Sequence, residues 1–321
     1  MHTEWLLAGL AVLLALWLGV RRLRRRMARG EATEVERRFD NALRRFHVEI
    51  DRFKFTRQGS VKVLLNHDHA IWTEVERMAV HGQGDRNDLR LKVYRYTEEI
   101  VPFFRPLSYY GLGLTLARTL LESLYRLDFR PDEVAALKRF SHAEPRSVIY
   151  LMNHRSNADY VLAAYVLAEK LALSFAVGEW ARVWPLEYLF KSFGSYFIRR
   201  GFRDPLYHTV LRRYVQLVTK NAVTQALFPE GGLSHDGRLQ AAKIGLLDSI
   251  LCAKEDRSFD RELLFVPVAV NYDRVLEDRA LVAEARERRP PGSKLAMARH
   301  VGAILFGNVW KFSRRRIRKN G

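Results

Sequence analysis

His154 and Asp159, in the run Asn-His-Arg-Ser-Asn-Ala-Asp, are a pair that could move a proton. Histidine is the side chain whose ordinary pKa lies near neutrality. A carboxylate on one ring nitrogen fixes the tautomer and leaves the other nitrogen free as a base. The stretch opens with β-branched and apolar residues at Ser147–Met152, which reads as a short buried strand. Tyr160–Leu171 reads as a helix. His154 therefore stands where a strand ends, the edge at which open α/β sheets bind ligands. Asp159, in the first helical turn, can reach back to the ring. The same residues fit a second reading. Ser156 and Asp159 have the Ser-x-x-Asp spacing of a capping box, which would leave His154 an ordinary loop histidine.

Two other turns carry groups suited to an anion. Arg199 and Arg200 follow the strand-like Ser195–Ile198, and a guanidinium fork matches a phosphate. Glu230-Gly231-Gly232-Leu233-Ser234-His235-Asp236-Gly237-Arg238 combines glycines, a serine and an arginine in one loop. Glycines let a backbone approach closely, and exposed amides with Arg238 would cradle an anion. The plainer alternatives are solvated surface charge and a simple turn. A nucleophile is harder to find. The serine elbow needs Gly-x-Ser-x-Gly, and here the second glycine comes one residue late, at Gly237. Cys252 has no supporting motif. His67 and His69 flank Asp68, but alternate positions on a helix face different ways, so they read as polar surface rather than a metal site.

These groups need a scaffold. Further strands are expected at Leu173–Val177, Val223–Phe228 and Leu263–Val270, with helices at Leu206–Lys220 and Ala241–Ala253 between them. That alternation predicts an α/β fold with a mixed, largely parallel sheet flanked by helices. Upstream, Glu31–Phe55 repeats Val35, Phe39, Leu43, Phe46, Ile50 and Phe53 at helical intervals. Val61–Val80, Leu89–Ile100 and the apolar Leu107–Leu127 continue a helical N-terminal domain. Four regions result: 1–29, 30–135, 136–290 as the domain carrying the chemistry, and a helical basic tail at 291–321.

The 321 residues carry a net charge of +18, which implies an anionic partner: nucleic acid, an anionic bilayer face or a phosphorylated substrate. No nucleic-acid-binding motif accompanies the charge. A single cysteine excludes an internal disulfide framework. Trp5–Val20 is free of charge and is followed by Arg21, Arg22, Arg24, Arg25 and Arg26. A cleaved signal would carry its charge before the apolar run, so this is expected to be an uncleaved anchor with the arginines on the cytoplasmic side. Its helical length, about 24 Å at 1.5 Å per residue, leaves open a single-pass or an interfacial, monotopic arrangement. Lys311–Lys319 adds a second basic cluster.

In combination the blocks resemble the glycerolipid acyltransferase superfamily. His154-Arg-Ser-Asn-Ala-Asp159 resembles its His-x4-Asp motif, and Gly194-Ser-Tyr-Phe-Ile-Arg-Arg200 its second block. Phe228-Pro-Glu-Gly-Gly-Leu-Ser-His-Asp-Gly-Arg-Leu239 resembles the third and Val266-Pro-Val268 the fourth, in the same order. The Phe-Ile-Arg-Arg and Glu-Gly-Gly forms look more like glycerol-3-phosphate acyltransferases than lysophosphatidate enzymes. The resemblance implies a membrane enzyme of phospholipid synthesis, with its catalytic domain on the cytoplasmic side of a bacterial inner membrane. It would move an acyl group from acyl-CoA or acyl carrier protein to the sn-1 hydroxyl of glycerol 3-phosphate, with no cofactor. His154 would be the base and Asp159 its orienter. Arg199, Arg200, Glu230, Gly231, Gly232, Ser234 and Arg238 would hold the acceptor, and Pro267 would shape the acyl side. Lysophosphatidate or dihydroxyacetone phosphate stand as alternative acceptors. A non-catalytic, membrane-tethered protein binding anionic lipid or nucleic acid would leave the four blocks unexplained.

Overall fold

The carboxyl ends of five parallel strands lie at one edge of a sheet, and that edge organises the rest. A computed structural model describes residues 58–105, 117–118, 121–122, 125–142, 146–167, 173–182, 186–234, 236–273 and 275. In chain order the elements are helices α1 (Gln58–Asn66), α2 (His69–Val80), α3 (Arg86–Ile100) and α4 (Pro131–His142), then strand β1 (Arg146–Met152). Helix α5 (Asp159–Leu167), β2 (Ser174–Gly178), α6 (Leu186–Ser192), β3 (Tyr196–Ile198) and α7 (Pro205–Lys220) follow. The described part closes with β4 (Gln225–Leu227), α8 (Gly245–Leu251) and β5 (Glu262–Val268). These residues all fall within one unit, Ile50–Gly321.

The sheet order is β3-β2-β4-β1-β5. Every recorded strand pair is parallel, so the expected mixed sheet is wholly parallel among the described residues. A parallel strand between two helical layers is apolar on both faces, and the strand sequences obey this. Ile149, Ala176, Tyr196 and Leu227 face one core; Val148, Tyr150, Met152, Phe175, Val177, Phe197 and Ala226 face the other. The first core is closed by Ile71 and Val75 of α2, Leu89, Val93 and Ile100 of α3, and Leu206, Val210 and Tyr214 of α7. The second is closed by Tyr160, Ala163 and Leu167 of α5.

Helix α7 shows how the sequence sets an element's start. Asp204 stands outside the helix and its Oδ1 accepts from the amide of Leu206 at 2.9 Å, with Pro205 at the first helical position. Such a cap is worth about 1 kcal/mol. Tyr96 of α3 donates its hydroxyl to the other Asp204 oxygen at 2.7 Å, tying the cap to the helical layer.

Two helical expectations need correction. Val61–Val80 is two helices, because Asp68 accepts from the amides of Ala70 and Ile71 and starts α2 afresh. The expected helix Ala241–Ala253 starts only at Gly245. Residues 240–243 are pulled out of helical geometry by bonds to the preceding turn: the Gln240 amide donates to Glu230 and the Lys243 amide to the Pro229 carbonyl. The expected boundary near residue 135 falls inside α4. Trp5–Val20, Glu31–Phe55, most of Leu107–Leu127 and the tail 291–321 lie outside the described residues. Among the described residues no helix is long and apolar enough to cross a membrane.

Candidate active site

The turns after all five strands meet at one sheet edge, and His154 lies in the turn after β1. Its Nδ1 is 2.9 Å from Asp159 Oδ2. An ionised carboxylate only accepts, so Nδ1 carries the proton and Nε2 is the basic nitrogen. Nε2 has no hydrogen-bond partner among the described residues. The ring is stacked on Phe228 at 4.0 Å between centroids and meets the edge of Tyr160 at 5.3 Å. His154 is 1% exposed, so the base is screened from bulk water.

Asp159 does both jobs that its position allowed. Oδ2 also accepts from the amides of Arg155 at 2.8 Å and Ser156 at 3.0 Å, while Ser156 Oγ accepts from the amide of Ala158. That caps α5. Because cap and ring share one oxygen, the start of the helix fixes the imidazole. Oδ1 accepts from the Tyr272 hydroxyl at 2.6 Å.

The glycine loop after β4 is bonded to the same turn. Glu230 Oε1 accepts from the His154 amide at 2.9 Å and Oε2 from the Gln240 amide at 3.0 Å. The Ser234 amide donates to the His154 carbonyl at 2.8 Å. Ser234 Oγ donates to the Arg238 carbonyl at 2.7 Å, closing the loop on itself. Glu230 and Ser234, both expected to hold an acceptor, are thus engaged in bracing the loop against His154. Gly231 has φ +66, which a side chain would strain. A Cβ there would also come within 2.7 Å of Lys243 Cδ, so the lysine stem lies against the glycine.

The neighbouring arginines diverge. Arg199 makes a fork with Glu99 of α3, with Nε 2.7 Å from Oε1, and its guanidinium lies 4.6 Å from the Phe202 ring centroid. The hydrogen bond to Glu99 raises the Arg199 pKa above its ordinary value. Arg182, from the turn after β2, shares the same carboxylate at 2.8 Å. The Arg199 backbone amide donates to the Tyr207 hydroxyl, a phenol that burial pushes up to about 12. Arg199 therefore joins β3 to the helical layer.

Arg200 takes the other direction. A Cβ on Gly178 would come within 3.1 Å of its Cζ, Nε and Nη2, and one on Gly232 within 3.6 Å of its Nη1. The guanidinium lies across the end of β2 beside the glycine turn, with no carboxylate partner among the described residues. Arg238 is exposed, and Asp236, the carboxylate recorded beside it, is 4.0 Å away. Pro267 pairs with Leu151 from the outer strand β5, and its side chain is exposed.

The structure thus brings His154, Asp159, Glu230 and Ser234 together and sets Arg200 beside Gly232, while Arg199 is held by Glu99. Sequence reasoning missed Glu99, Gly178, Lys243 and Tyr272. Gly178 and Tyr272 were visible as strand-ending residues, Lys243 was hidden in an expected helix, and Glu99 left no sign. His67 and His69 are exposed helix-end residues, and no cluster able to hold a metal occurs among the described residues.

Comparison with known proteins finds similar chains. A family model described as Acyltransferase matches residues 136–271. A glycerol-3-phosphate acyltransferase of Aeromonas hydrophila is 32% identical over 217 residues, 64% of this chain and 26% of that protein. One from Haemophilus influenzae is 36% identical over 176 residues, 51% of this chain and 22% of its own length. One from Actinobacillus succinogenes is 31% identical over 265 residues, 78% of this chain and 32% of its own. The chain spans about a fifth to a third of the length of these relatives. A crystal structure of a 1-acyl-sn-glycerophosphate acyltransferase from Thermotoga maritima covers 57% of this chain and 91% of its own, with 18% identity. Its TM-score is 0.29, and it adds nothing to the topology above.

Proposed function

Since residues 136–271 match a family model described as Acyltransferase and the chain is similar to glycerol-3-phosphate acyltransferases, we propose that this chain belongs to the glycerolipid acyltransferases and acylates the sn-1 hydroxyl of glycerol 3-phosphate. The donor is an acyl thioester, acyl-CoA or acyl carrier protein, and the product is lysophosphatidate. The observation that carries this reading is the buried His154–Asp159 pair with Nε2 unpartnered among the described residues.

In the proposed reaction Nε2 removes the proton from the hydroxyl as its oxygen attacks the thioester carbon. The tetrahedral intermediate collapses, the carbon–sulfur bond breaks, and the imidazolium returns the proton to the thiolate. Asp159 stabilises the imidazolium and holds the ring. No covalent acyl-enzyme is formed. A base screened from water favours the alcohol over hydrolysis of the donor. Arg200 beside Gly232 and Lys243 beside Gly231 supply positive charge for the acceptor phosphate, and Arg238, exposed on the same loop, adds to it. No cofactor takes part.

The test is an acceptor panel with the purified full chain. Thioester loss is expected to depend on glycerol 3-phosphate and to yield lysophosphatidate. Turnover with lysophosphatidate or dihydroxyacetone phosphate but not glycerol 3-phosphate would move the acceptor assignment. Thioester loss with no acceptor dependence would end the transferase reading.

We also propose attachment to the cytoplasmic face of a bacterial inner membrane through Trp5–Val20, assisted by the arginine cluster and the basic tail. Deleting residues 1–29 is expected to make membrane retention partial and salt-sensitive, because charge attraction is screened over about 10 Å at 0.1 M salt. Full retention that resists salt would place the anchor elsewhere.

A further inference from the structure

Asp159 Oδ2 serves the ring and two amides, all from its own turn, while Oδ1 receives the Tyr272 hydroxyl from 113 residues away. Tyr272 belongs to a short segment after β5 that is laid across the His154 turn. Asn153 clamps that segment twice, donating Nδ2 to the Val270 carbonyl at 2.8 Å and accepting from the Val270 amide at 2.7 Å. Arg155 donates to Asn271 Oδ1 at 2.9 Å. The Tyr272 ring packs on Tyr125 at 5.4 Å. The hydroxyl is thus delivered to the carboxylate by a segment with its own attachments.

We propose that Tyr272 is a positioning residue for the proposed reaction: its hydroxyl, held on Asp159 Oδ1, tunes the basicity of His154 and keeps the carboxylate ionised. A hydrogen bond to a carboxylate spreads its charge and favours the ionised form. Without it, Asp159 is a buried anion with less compensation, so protonation of either Asp159 or His154 becomes easier. Both changes remove the neutral base as pH falls, and both move the acidic limb of the rate profile upward. The other ionisable groups recorded against this pair are Glu230 at the His154 amide, Arg155 beside Asp159, Tyr160 edge-on to the ring, and Tyr125 against Tyr272. Tyr272→Phe leaves all four in place.

The inference rests on His154 acting as the base. It is tested by measuring kcat and KM against pH for the full chain, with a long-chain acyl-CoA and glycerol 3-phosphate. Tyr272→Phe is expected to shift the acidic limb of kcat/KM upward by about half to one pH unit. The rate at a pH on that limb should fall about three- to tenfold, with both KM values held within about twofold. Asn271→Ala, which loosens the segment but keeps the hydroxyl, should leave the limb in place. Replacing Tyr272 by 3,5-difluorotyrosine keeps the shape and makes the phenol more acidic, and should move the limb downward. This second variant decides the matter should the Phe variant fail to fold. An unmoved limb in the Tyr272 variants, or an equal shift in Asn271→Ala, overturns the proposal. A His154→Ala variant that still turns over defeats the underlying reading instead. A dead His154→Ala variant beside wild-type profiles at position 272 defeats this inference alone.

Discussion

His154→Ala is expected to reduce acyl transfer to background while the thermal unfolding transition stays close to that of the wild type. A general base of this kind supplies about 10²- to 10⁴-fold, and no other described side chain shares the ring's position at Phe228 and Asp159. Asp159→Asn is the more informative partner. The carboxylate offers one oxygen to three donors and the other to Tyr272. An amide can keep the three donors on its single oxygen and point its NH₂ at the Tyr272 oxygen. The cap on α5 survives, since asparagine also caps well, but the charge that stabilises the imidazolium is gone. Asp159→Asn should therefore cost less than His154→Ala and still a large factor in kcat. Near-normal turnover in the histidine variant would remove the base from the mechanism. A small cost in Asp159→Asn would leave Asp159 as a helix cap only.

Arg200→Ala is expected to raise the KM for glycerol 3-phosphate about ten- to a hundredfold and to leave the acyl-donor KM unchanged. A charge-assisted hydrogen bond contributes about 1.5–3 kcal/mol, which is that range in affinity. Arg200→Lys should recover part, because an ammonium cannot make the two-pronged contact. Arg238→Ala should act in the same direction but less strongly, because its exposed side chain must first be ordered. Arg199→Ala should behave differently. Its guanidinium is spent on Glu99 and on the Phe202 ring, so its removal should lower the melting temperature more than it disturbs the acceptor KM. Steady-state kinetics and thermal unfolding of the single variants separate these outcomes. A raised acceptor KM in Arg199→Ala with none in Arg200→Ala would return the phosphate to Arg199. A raised donor KM in Arg200→Ala would assign these cations to the thioester carrier.

All five strands were legible as apolar runs ending in glycine, proline or polar residues, because burial on both faces leaves little else in them. The helix at 241 was misplaced because Ala241, Ala242, Ile244 and Leu247 mimic a helical face. Ile244 is in fact exposed, and two bonds to the Pro229–Glu230 turn override the local preference. The His154–Asp159 contact was legible because a separation of five positions spans a strand end and a first helical turn. The partner of Arg199 was not, since Glu99 lies 100 residues away inside an ordinary amphipathic helix. Tyr272 was equally out of reach of any spacing argument, and so was the direction of each arginine after β3.

The apolar layer formed by α1, α2 and α3 lies outside the segment matched by the family model, yet it completes the core beneath Ile149, Ala176 and Tyr196. The segment that the family model matches and the unit that folds therefore differ here by three helices. A fragment beginning at residue 136 would keep the turns at the sheet edge but leave Leu206, Val210 and Tyr214 of α7 open to water on the face that α2 and α3 cover, a greasy slab exposed along one side of the molecule.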